Sequence, residues 1–243
     1  MTIGWRGHGR WVARLVARLV MLLCAVVAFG NAAHAAFDLP SEGRAQYTVK
    51  KGGVPLGTAR LEWQVASDGR YRIVLASQTT GLAALLSNYS ETRVSEGRVV
   101  SGWWVPERSL RERPGKDDEV IARAGDAVVV TRKGRTLRYA APATAQDFLS
   151  LLLSLPARAA AGKPHGKTVL LGVKRAKTIT YRVAETQSVT LPDGRTVPGL
   201  AFQAETENKD WQVTVEWQVA PIVRLVRLNI HGEEGDFAYE LTR

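Results

Sequence analysis

The residues whose types could support catalysis or metal binding are few beyond residue 35, and they lie far apart. The two histidines there are His165, in the segment GKPHGK, and His231, at the end of a predicted strand. A zinc site needs about four ligands, usually drawn from closely spaced pairs, so the spacing predicts surface histidines and no metal ion. The acidic run 117–119 follows Pro114-Gly115, which is typical of a solvated hairpin turn.

Sequence motifs of enzyme chemistry are also missing. The chain contains no Gly-x-Ser-x-Gly nucleophile elbow, no phosphate-binding loop and no dinucleotide fingerprint. The single cysteine, Cys24, lies in an apolar N-terminal run, so the rest of the chain has no thiol nucleophile and no disulfide. We therefore predict a protein that is not an enzyme and that uses no cofactor.

Asp147 has the most unusual context of the carboxylates, because it opens the apolar stretch DFLSLLLSL. A carboxylate in apolar surroundings can have a perturbed pKa and a catalytic role. The alternative is a capping box, in which the hydroxyl of Thr144 caps a helix and Asp147, three residues later, bonds back to the backbone. We favour the capping interpretation.

The elements that must position these side chains are predicted to be mostly β-strands. In WQVTVEWQV the apolar residues alternate with polar ones, which collects them on one face of a strand. The segments RLEWQV and RYRIVLAS repeat this pattern on either side of a Gly-containing turn, as in a β-hairpin. About a dozen such segments follow one another without a linker, so we predict one β domain over residues 36–243.

The exception is the stretch 144–155, which predicts a helix that ends at Pro156. Its polar side chains form one narrow stripe, and apolar side chains cover the rest of its circumference. A surface helix has a single apolar stripe, so this helix is expected to be enclosed. The predicted fold is mainly β: a strongly curved antiparallel sheet, an open or half barrel of about a dozen strands, wrapped around one apolar α-helix.

Apolar side chains on the concave face of such a sheet could line a hollow for an apolar ligand. Adjacent strand residues point to opposite faces, so one of Trp103 and Trp104 is expected inside and the other in solvent. The segment 81–86 is a second apolar loop or short helix, interpreted as a lid over the concave face. The candidate ligand-binding residues, which also suit a hydrophobic core, are Trp63, Trp103, Trp104, Leu82, Leu85, Phe148, Leu152 and Trp217.

The first 35 residues predict an export signal outside the fold. A dozen apolar residues and the small-x-small site Ala33-His34-Ala35 follow four arginines: Arg6, Arg10, Arg14 and Arg18. This order is typical of a secretory signal peptide, here cleaved after Ala35. The alternative is an uncleaved anchor, but the apolar run is shorter than the roughly 20 residues that span a bilayer. Export and an Arg-rich composition predict the periplasm of a Gram-negative bacterium.

The remaining charge is mildly basic. The chain has 33 basic and 23 acidic residues, and loss of the four leader arginines leaves 29 against 23. Opposite charges at Glu91, Arg93 and Arg111 predict salt bridges on the strands. Basic residues concentrate in the segments 108–116, 132–138 and 174–177, either as ordinary solvated faces or to attract anionic envelope lipid or polysaccharide. Without interleaved stacking motifs they do not favour nucleic acid, and membrane contact is expected only through partners or surface charge.

Five strand and turn segments follow one another over most of residues 39–243: YTVKKGGVPLGTARLEW, GRYRIVLASQTTGL, ETRVSEGRVVSGWWVPERSLRER, QDFLSLLLSL and PIVRLVRLNIHGEEG. Their order and spacing resemble an exported bacterial family, domain of unknown function 3108. The resemblance implies a curved antiparallel sheet in the envelope. It implies no activity and no functional residue.

Two functions of different classes fit these predictions. The favoured hypothesis is non-enzymatic binding or carriage of an apolar or amphipathic envelope molecule, which needs a hollow between the sheet and its helix. The alternative is a structural or adaptor protein of the envelope, whose sheet edges and basic faces hold a protein partner. The adaptor needs no hollow, so the filling of the interior distinguishes the two.

Overall fold

Fifteen strands and two helices make up the part of the chain that the computed structural model describes, residues 39–86, 88–184 and 188–242. Residues Phe37–Arg243 form one compact unit. The predicted signal peptide, residues 1–35, lies outside the described residues. Among the described helices, none is long and apolar enough to cross a membrane.

The elements are numbered in chain order. The helices are α1 (Gly81–Leu86) and α2 (Phe148–Ala160). The strands are β1 (Glu42–Lys51), β2 (Val54–Val65), β3 (Arg70–Thr79), β4 (Ser90–Val100), β5 (Trp103–Arg113), β6 (Lys116–Ala124), β7 (Ala127–Arg132), β8 (Arg135–Ala140), β9 (His165–Leu170), β10 (Lys177–Ala184), β11 (Ser188–Thr190), β12 (Thr196–Thr206), β13 (Gln212–Gln218), β14 (Arg224–His231) and β15 (Phe237–Leu241).

Most strands pair antiparallel with their neighbours along the chain, as the alternating hairpin segments predict. The sheet order is β8-β7-β6-β5-β4-β3-β2-β1-β15-β14-β13-β12-β10-β9, with β11 paired to β12. Pairing of β1 with β15 joins the N-terminal and C-terminal arms, with Tyr47 opposite Leu241 and Lys51 opposite Phe237. Strands β8 and β9 are the two ends of the sheet and do not pair with each other, so the prediction of an open, antiparallel half barrel is confirmed.

Bulges supply part of the curvature of this sheet. The register shifts in the pairings of β1 with β2, β4 with β5, β5 with β6 and β13 with β14. A bulge bends its strand and increases the local twist. One shift falls between Glu96 and Gly97, where a Cβ on Gly97 would lie 2.0 Å from the carbonyl oxygen of Val105. Only glycine therefore fits at this bend.

Helix α2 fills the concave side of the sheet. Its leucines at 149, 151, 152, 153 and 155 are at most 3% exposed. They belong to one hydrophobic cluster with inward-facing residues from both arms of the sheet, and α2 contacts β3, β4, β5, β9 and β12. The prediction that a curved sheet encloses an apolar helix is confirmed.

The predicted start of this helix was wrong, because a contact distant in sequence competes for the same residues. The N–H of Gln146 donates to the carbonyl of Val169, and the N–H of Leu171 donates to the carbonyl of Gln146, each at 2.7 Å. These bonds make a short parallel bridge with the edge of β9 and keep Gln146 out of the helix. The helix therefore begins at Phe148, and Thr144 is not its cap.

The predicted end of the helix was also wrong. Pro156 lies inside α2, which continues to Ala160. An interior proline removes one backbone hydrogen bond and strains the preceding turn. Both Pro156 and Arg158 are nevertheless buried, because the last turn is still covered by the sheet. Packing of this turn offsets the local cost of proline.

Candidate functional site

The polar stripe of α2 faces the sheet and is buried. Asp147, Ser150 and Ser154 are 5%, 0% and 0% exposed. The hydroxyl of Ser154 accepts a hydrogen bond from the N–H of Trp104 at 3.0 Å and donates to Oε1 of Gln146 at 2.7 Å. The stripe thus connects the helix to the sheet and to the segment before it, and it fixes the rotation of an otherwise apolar helix.

Asp147 is the N-cap of α2 and also bonds to the sheet. Its Oδ1 accepts the N–H of Ser150 at 2.7 Å, and the hydroxyl of Ser150 accepts the N–H of Asp147 at 3.0 Å, which completes a capping box. Its Oδ2 accepts the hydroxyl of Ser109 on β5. Because each carboxylate oxygen accepts a hydrogen bond, Asp147 has a structural role, as the capping interpretation predicted. The cap is Asp147 itself, however, and not Thr144.

Six of the eight predicted ligand-binding residues meet inside the sheet as parts of its core. Trp63 and Trp217 pack edge to face with ring centroids 6.0 Å apart. Trp217 is 0% and Leu152 is 1% exposed, and Phe148 is partly buried against the same cluster. Trp103 and Trp104 belong to it as well. These side chains fill the space between sheet and helix.

The prediction that one of Trp103 and Trp104 faces solvent is wrong, because both are buried. Trp104 packs on Tyr71 with ring centroids 5.0 Å apart. Trp103, the first residue of β5, packs edge-on against Tyr181 of β10 at 6.1 Å, and the guanidinium carbon of Arg158 lies 4.8 Å from its ring centroid. Because adjacent strand residues point in opposite directions, the two rings have different neighbours. Both are nevertheless buried, since β10 and the last turn of α2 cover Trp103.

The prediction of a lid is also wrong. Helix α1 packs against β2, but Leu82 and Leu85 are each 82% exposed and so do not cover the concave face. The pairing of β2 with β3 begins at Gly57 and Thr79, so α1, which follows β3, lies beside the start of β2, where β2 pairs with β1 but not with β3. Val54 at this start is 61% exposed. The segment forms an apolar rim, which we call the α1 rim: Val54, Leu82 and Leu85.

The strands also assemble a charged cluster around the carboxylate of Glu91. Oε2 of Glu91 accepts hydrogen bonds from the hydroxyl of Tyr89 at 2.5 Å and from Nε of Arg111 at 2.6 Å, while Oε1 accepts Nε of Arg93. Glu91 is 7% exposed. The guanidinium carbon of Arg93 lies 5.5 Å from the ring centroid of Phe148, so the cluster adjoins the start of α2.

A second buried carboxylate extends this cluster toward the hairpins of β6 and β7. Glu119 is 3% exposed. It pairs with Arg113 at 3.0 Å, with Arg132 at 2.8 Å and with Arg111 at 3.6 Å. The sequence predicted salt bridges at Glu91, Arg93 and Arg111, which the structure contains, but the central role of Glu119 was missed because the acidic run 117–119 was interpreted as a solvated turn.

The cluster carries no metal site. Within residues 39–86, 88–184 and 188–242, no group of three or more histidine, cysteine, aspartate or glutamate side chains could hold a metal ion. Each carboxylate of the cluster is bonded to arginine or tyrosine, which suits structural ion pairing.

A family model matches most of the chain. The chain matches the family model described as Protein of unknown function (DUF3108) over residues 46–235. The chain belongs to this family. That range contains most of both arms of the DUF3108 sheet, helix α2 and the charged cluster. No curated protein matches the chain.

A solved structure shares the architecture of this DUF3108 chain. It is the crystal structure of a β-barrel-like protein of domain of unknown function DUF1849 from Brucella abortus, with a TM-score of 0.51 and 13% sequence identity. The match covers 82% of this chain and 95% of that one. At this identity the likeness supports the fold and carries no function.

The charged cluster makes the stability of the DUF3108 domain depend on pH. Burial raises the pKa of Glu91, but Arg93, Tyr89 and Arg111 outweigh burial, so the pKa is lowered from its ordinary 4.5. Burial and the Glu91 carboxylate raise the pKa of Tyr89 to about 12. A carboxyl group with a lowered folded-state pKa stabilises above its unfolded pKa, and that contribution is lost as pH falls through the folded value.

In Glu91→Gln the free energy of unfolding is therefore expected to depend less on pH in the acid range than in wild type. Near neutral pH the variant should lose about 1–3 kcal/mol of unfolding free energy, and the difference from wild type should shrink as pH falls below 4.5. Urea unfolding at a series of pH values measures both effects. Glu96→Gln is the control, because Glu96 pairs with Arg72 at a more exposed position on the same strand. A constant difference at all pH values would contradict the prediction.

Proposed function

We propose that this DUF3108 protein is a non-enzymatic adaptor of the cell envelope that binds a protein partner on the outside of its sheet. The observation that supports this best is the filled interior. The side chains predicted to line a hollow are core residues, with Leu152 and Trp217 at most 1% exposed. Meanwhile the sheet is open and ends at a strand, β8, on which every residue except Tyr139 is exposed.

Carriage of an apolar or amphipathic molecule is the second candidate. The observation that favours it is the α1 rim, whose leucines present apolar surface to solvent. A ligand inside the sheet would have to displace α2, and burial of each leucine contributes about 1.5–3 kcal/mol. The cost of displacing several leucines is comparable to the net stability of a domain. Binding at the surface requires no such step.

The proposed compartment is the periplasm of a Gram-negative bacterium. Its support is the basic and apolar leader with the Ala33-His34-Ala35 site. The lack of cysteine in residues 36–243 makes the fold independent of the redox state of its surroundings. Membrane contact is proposed only through a partner or through surface charge.

In-cell cross-linking combined with native mass spectrometry tests the adaptor against the carrier. An adaptor is expected to give a discrete protein adduct with an amine-reactive cross-linker, while the purified monomer has its sequence mass without lipid. A Leu82→Ser/Leu85→Ser double variant should leave the adduct unchanged. Stoichiometric lipid on the wild-type protein, lost in this variant and with no protein adduct, would instead establish carriage at the rim.

A further inference from the structure

The two edges of the sheet differ in what covers them. On β9, the carbonyl of Val169 is bonded to Gln146, as is the N–H of Leu171 just beyond the strand. The hydroxyl of Thr168 also donates to the carbonyl of Thr144 at 3.2 Å. On β8, the six residues pair with β7 alone. The edge at β9 is therefore covered at its end, whereas β8 is an edge that no other described segment covers.

The turn before β8 determines which of its backbone groups face this free edge. Lys133 and Gly134 have φ angles of 51° and 66°, as in the two-residue type I′ turn that closes a hairpin. Arg132 and Arg135, opposite each other across the turn, are then a hydrogen-bonded pair. Such pairs alternate with pairs whose N–H and C=O point away from the neighbouring strand.

The outward-pointing residues of β8 are accordingly Thr136, Arg138 and Ala140. A bond just beyond the strand agrees with this assignment. The N–H of Ala141 donates to the carbonyl of Asp126 at 3.3 Å, so Asp126 and Ala141 are a hydrogen-bonded pair and Ala140, one residue earlier, belongs to a pair that is not hydrogen-bonded. No backbone bond joins Thr136, Arg138 or Ala140 to another described loop or turn. Three donors and three acceptors on one edge can hold an added strand.

The two faces of β8 have different chemistry. Leu137 lies opposite Val130 of β7, which is 1% exposed, and so points to the inner face, where it is 42% exposed. Tyr139 on the same face is held by a hydrogen bond from its hydroxyl to the carbonyl of Gly172 at 2.7 Å. Arg138 alternates to the outer face and is exposed. An added strand would meet Leu137, with Arg135 at the start of the strand, on one face and Arg138 on the other.

The charged side chains of the β7–β8 hairpin all have the same sign. The β7–β8 hairpin, residues 127–140, contains Arg132, Lys133, Arg135 and Arg138 and no acidic residue. Within the described residues, Arg132 pairs with Glu119, but Lys133, Arg135 and Arg138 form no ion pair. A surface groove of about 570 Å³ lies beside the turn of this hairpin, lined by Arg113, Gly115, Lys116, Asp117, Glu119, Arg132 and Lys133.

These charges also determine which occupant is excluded. Exposed sheet edges pair with other strands unless charge or proline prevents it, and β8 contains no proline. Pairing of two copies of β8 would bring Arg135 and Arg138 near their equivalents, and like charges on adjacent strands are destabilising. The same arginines attract a strand that carries carboxylates.

We propose that β8 is the docking edge of the adaptor and that its partner adds an extended segment with alternating acidic and apolar side chains. The acidic residues lie on the face of Arg138 and the apolar residues on the face of Leu137. Backbone bonds to Thr136, Arg138 and Ala140 supply affinity, and the alternation supplies specificity. This inference rests on the proposed adaptor function and names its partner by chemistry.

The probe is a fluorescein-labelled peptide of four Glu-Val repeats, with four Lys-Val repeats and a block peptide of four Glu followed by four Val as controls. Fluorescence anisotropy is expected to show binding of the Glu-Val peptide that weakens with added salt. The block peptide keeps the charge but loses the alternation, so it should bind more weakly. The Lys-Val peptide should not bind. Equal binding of all three would overturn the proposal.

Thr136→Pro is the decisive variant, because it removes an N–H that faces the free edge and leaves the ladder to β7 intact. Binding of the Glu-Val peptide is expected to weaken by about tenfold. Thr136→Val keeps the N–H and should bind like wild type. If Thr136→Pro does not fold, Arg138→Glu replaces it, with the expectation that the Glu-Val peptide loses affinity. Unchanged binding in the folded variant would overturn the proposal.

The same variant separates this inference from the adaptor function. If the in-cell protein adduct persists in Thr136→Pro, the adaptor function stands and β8 is not its docking edge. If wild type gives no adduct, the adaptor function itself fails. Loss of both the adduct and the Glu-Val binding in Thr136→Pro, with both retained in Thr136→Val, is the result expected here.

Discussion

Leu152→Asp is expected to unfold the protein at room temperature. Leu152 is 1% exposed on α2 and packs within the cluster that joins both arms of the sheet. Losing a buried leucine costs about 2–5 kcal/mol, and an unpaired carboxylate in the same place adds several more. The sum is comparable to the roughly 5–15 kcal/mol by which whole domains are stable.

Thermal and urea unfolding followed by circular dichroism measures this effect, with two matched controls. Leu82→Asp makes the same chemical change at a side chain that is 82% exposed, so its melting temperature should stay within about 2 °C of wild type. Leu152→Met keeps the volume and should cost less than about 1.5 kcal/mol. A cooperative transition at the wild-type temperature in Leu152→Asp would show that α2 does not support the sheet.

The strands and the enclosed helix were predictable because each follows from a local pattern. Alternation in WQVTVEWQV appears as β13, with Val213, Val215 and Trp217 buried. The leucines of α2 lie around most of its circumference, so the helix must be covered on several sides for all of them to be buried. The DUF1849 structure shares this architecture at 13% identity, since a pattern of alternation can be satisfied by many different sequences.

The errors arise where distant contacts override a local pattern. Thr144 fits a capping box, but the bridge between Gln146 and β9 keeps the chain extended until Asp147. Alternation sends Trp103 and Trp104 to opposite sides of β5, but β10 and α2 cover Trp103. The sequence near Thr144 and Trp103 does not show that β9 and β10 lie next to them in the fold.

The features that matter most for the proposed function depend on topology and were therefore not visible in the sequence. The hairpin pattern places β7 and β8 side by side, but only the complete strand order shows that β8 ends the sheet. In the same way, the pairing of Arg111 with Glu91 was predictable in kind, whereas the burial of Glu119 among three arginines requires the neighbouring strands β5, β6 and β7.

Asp147→Ala is expected to give the second large loss of stability among these variants. The variant loses the cap on the N–H of Ser150, worth about 1–2 kcal/mol, and leaves the hydroxyl of Ser109 without its acceptor, worth about 1 kcal/mol more. A total loss of about 2–3 kcal/mol corresponds to a fall of roughly 5–10 °C in the melting temperature of a domain of this size. Urea unfolding with an unchanged m-value would confirm that only the folded state is affected.

Two further substitutions assign this loss to its physical cause. Asparagine caps helices about as well as aspartate, and its amide NH2 can donate to the hydroxyl oxygen of Ser109 in place of accepting from it, so Asp147→Asn should lose less than about 1 kcal/mol. Asp193→Ala removes a carboxylate that accepts from the N–H of Arg195 in an exposed turn, so its effect should be within about 0.5 kcal/mol. Equal losses in Asp147→Asn and Asp147→Ala would mean that the negative charge at the start of α2, and not the capping hydrogen bond, holds the helix in the sheet.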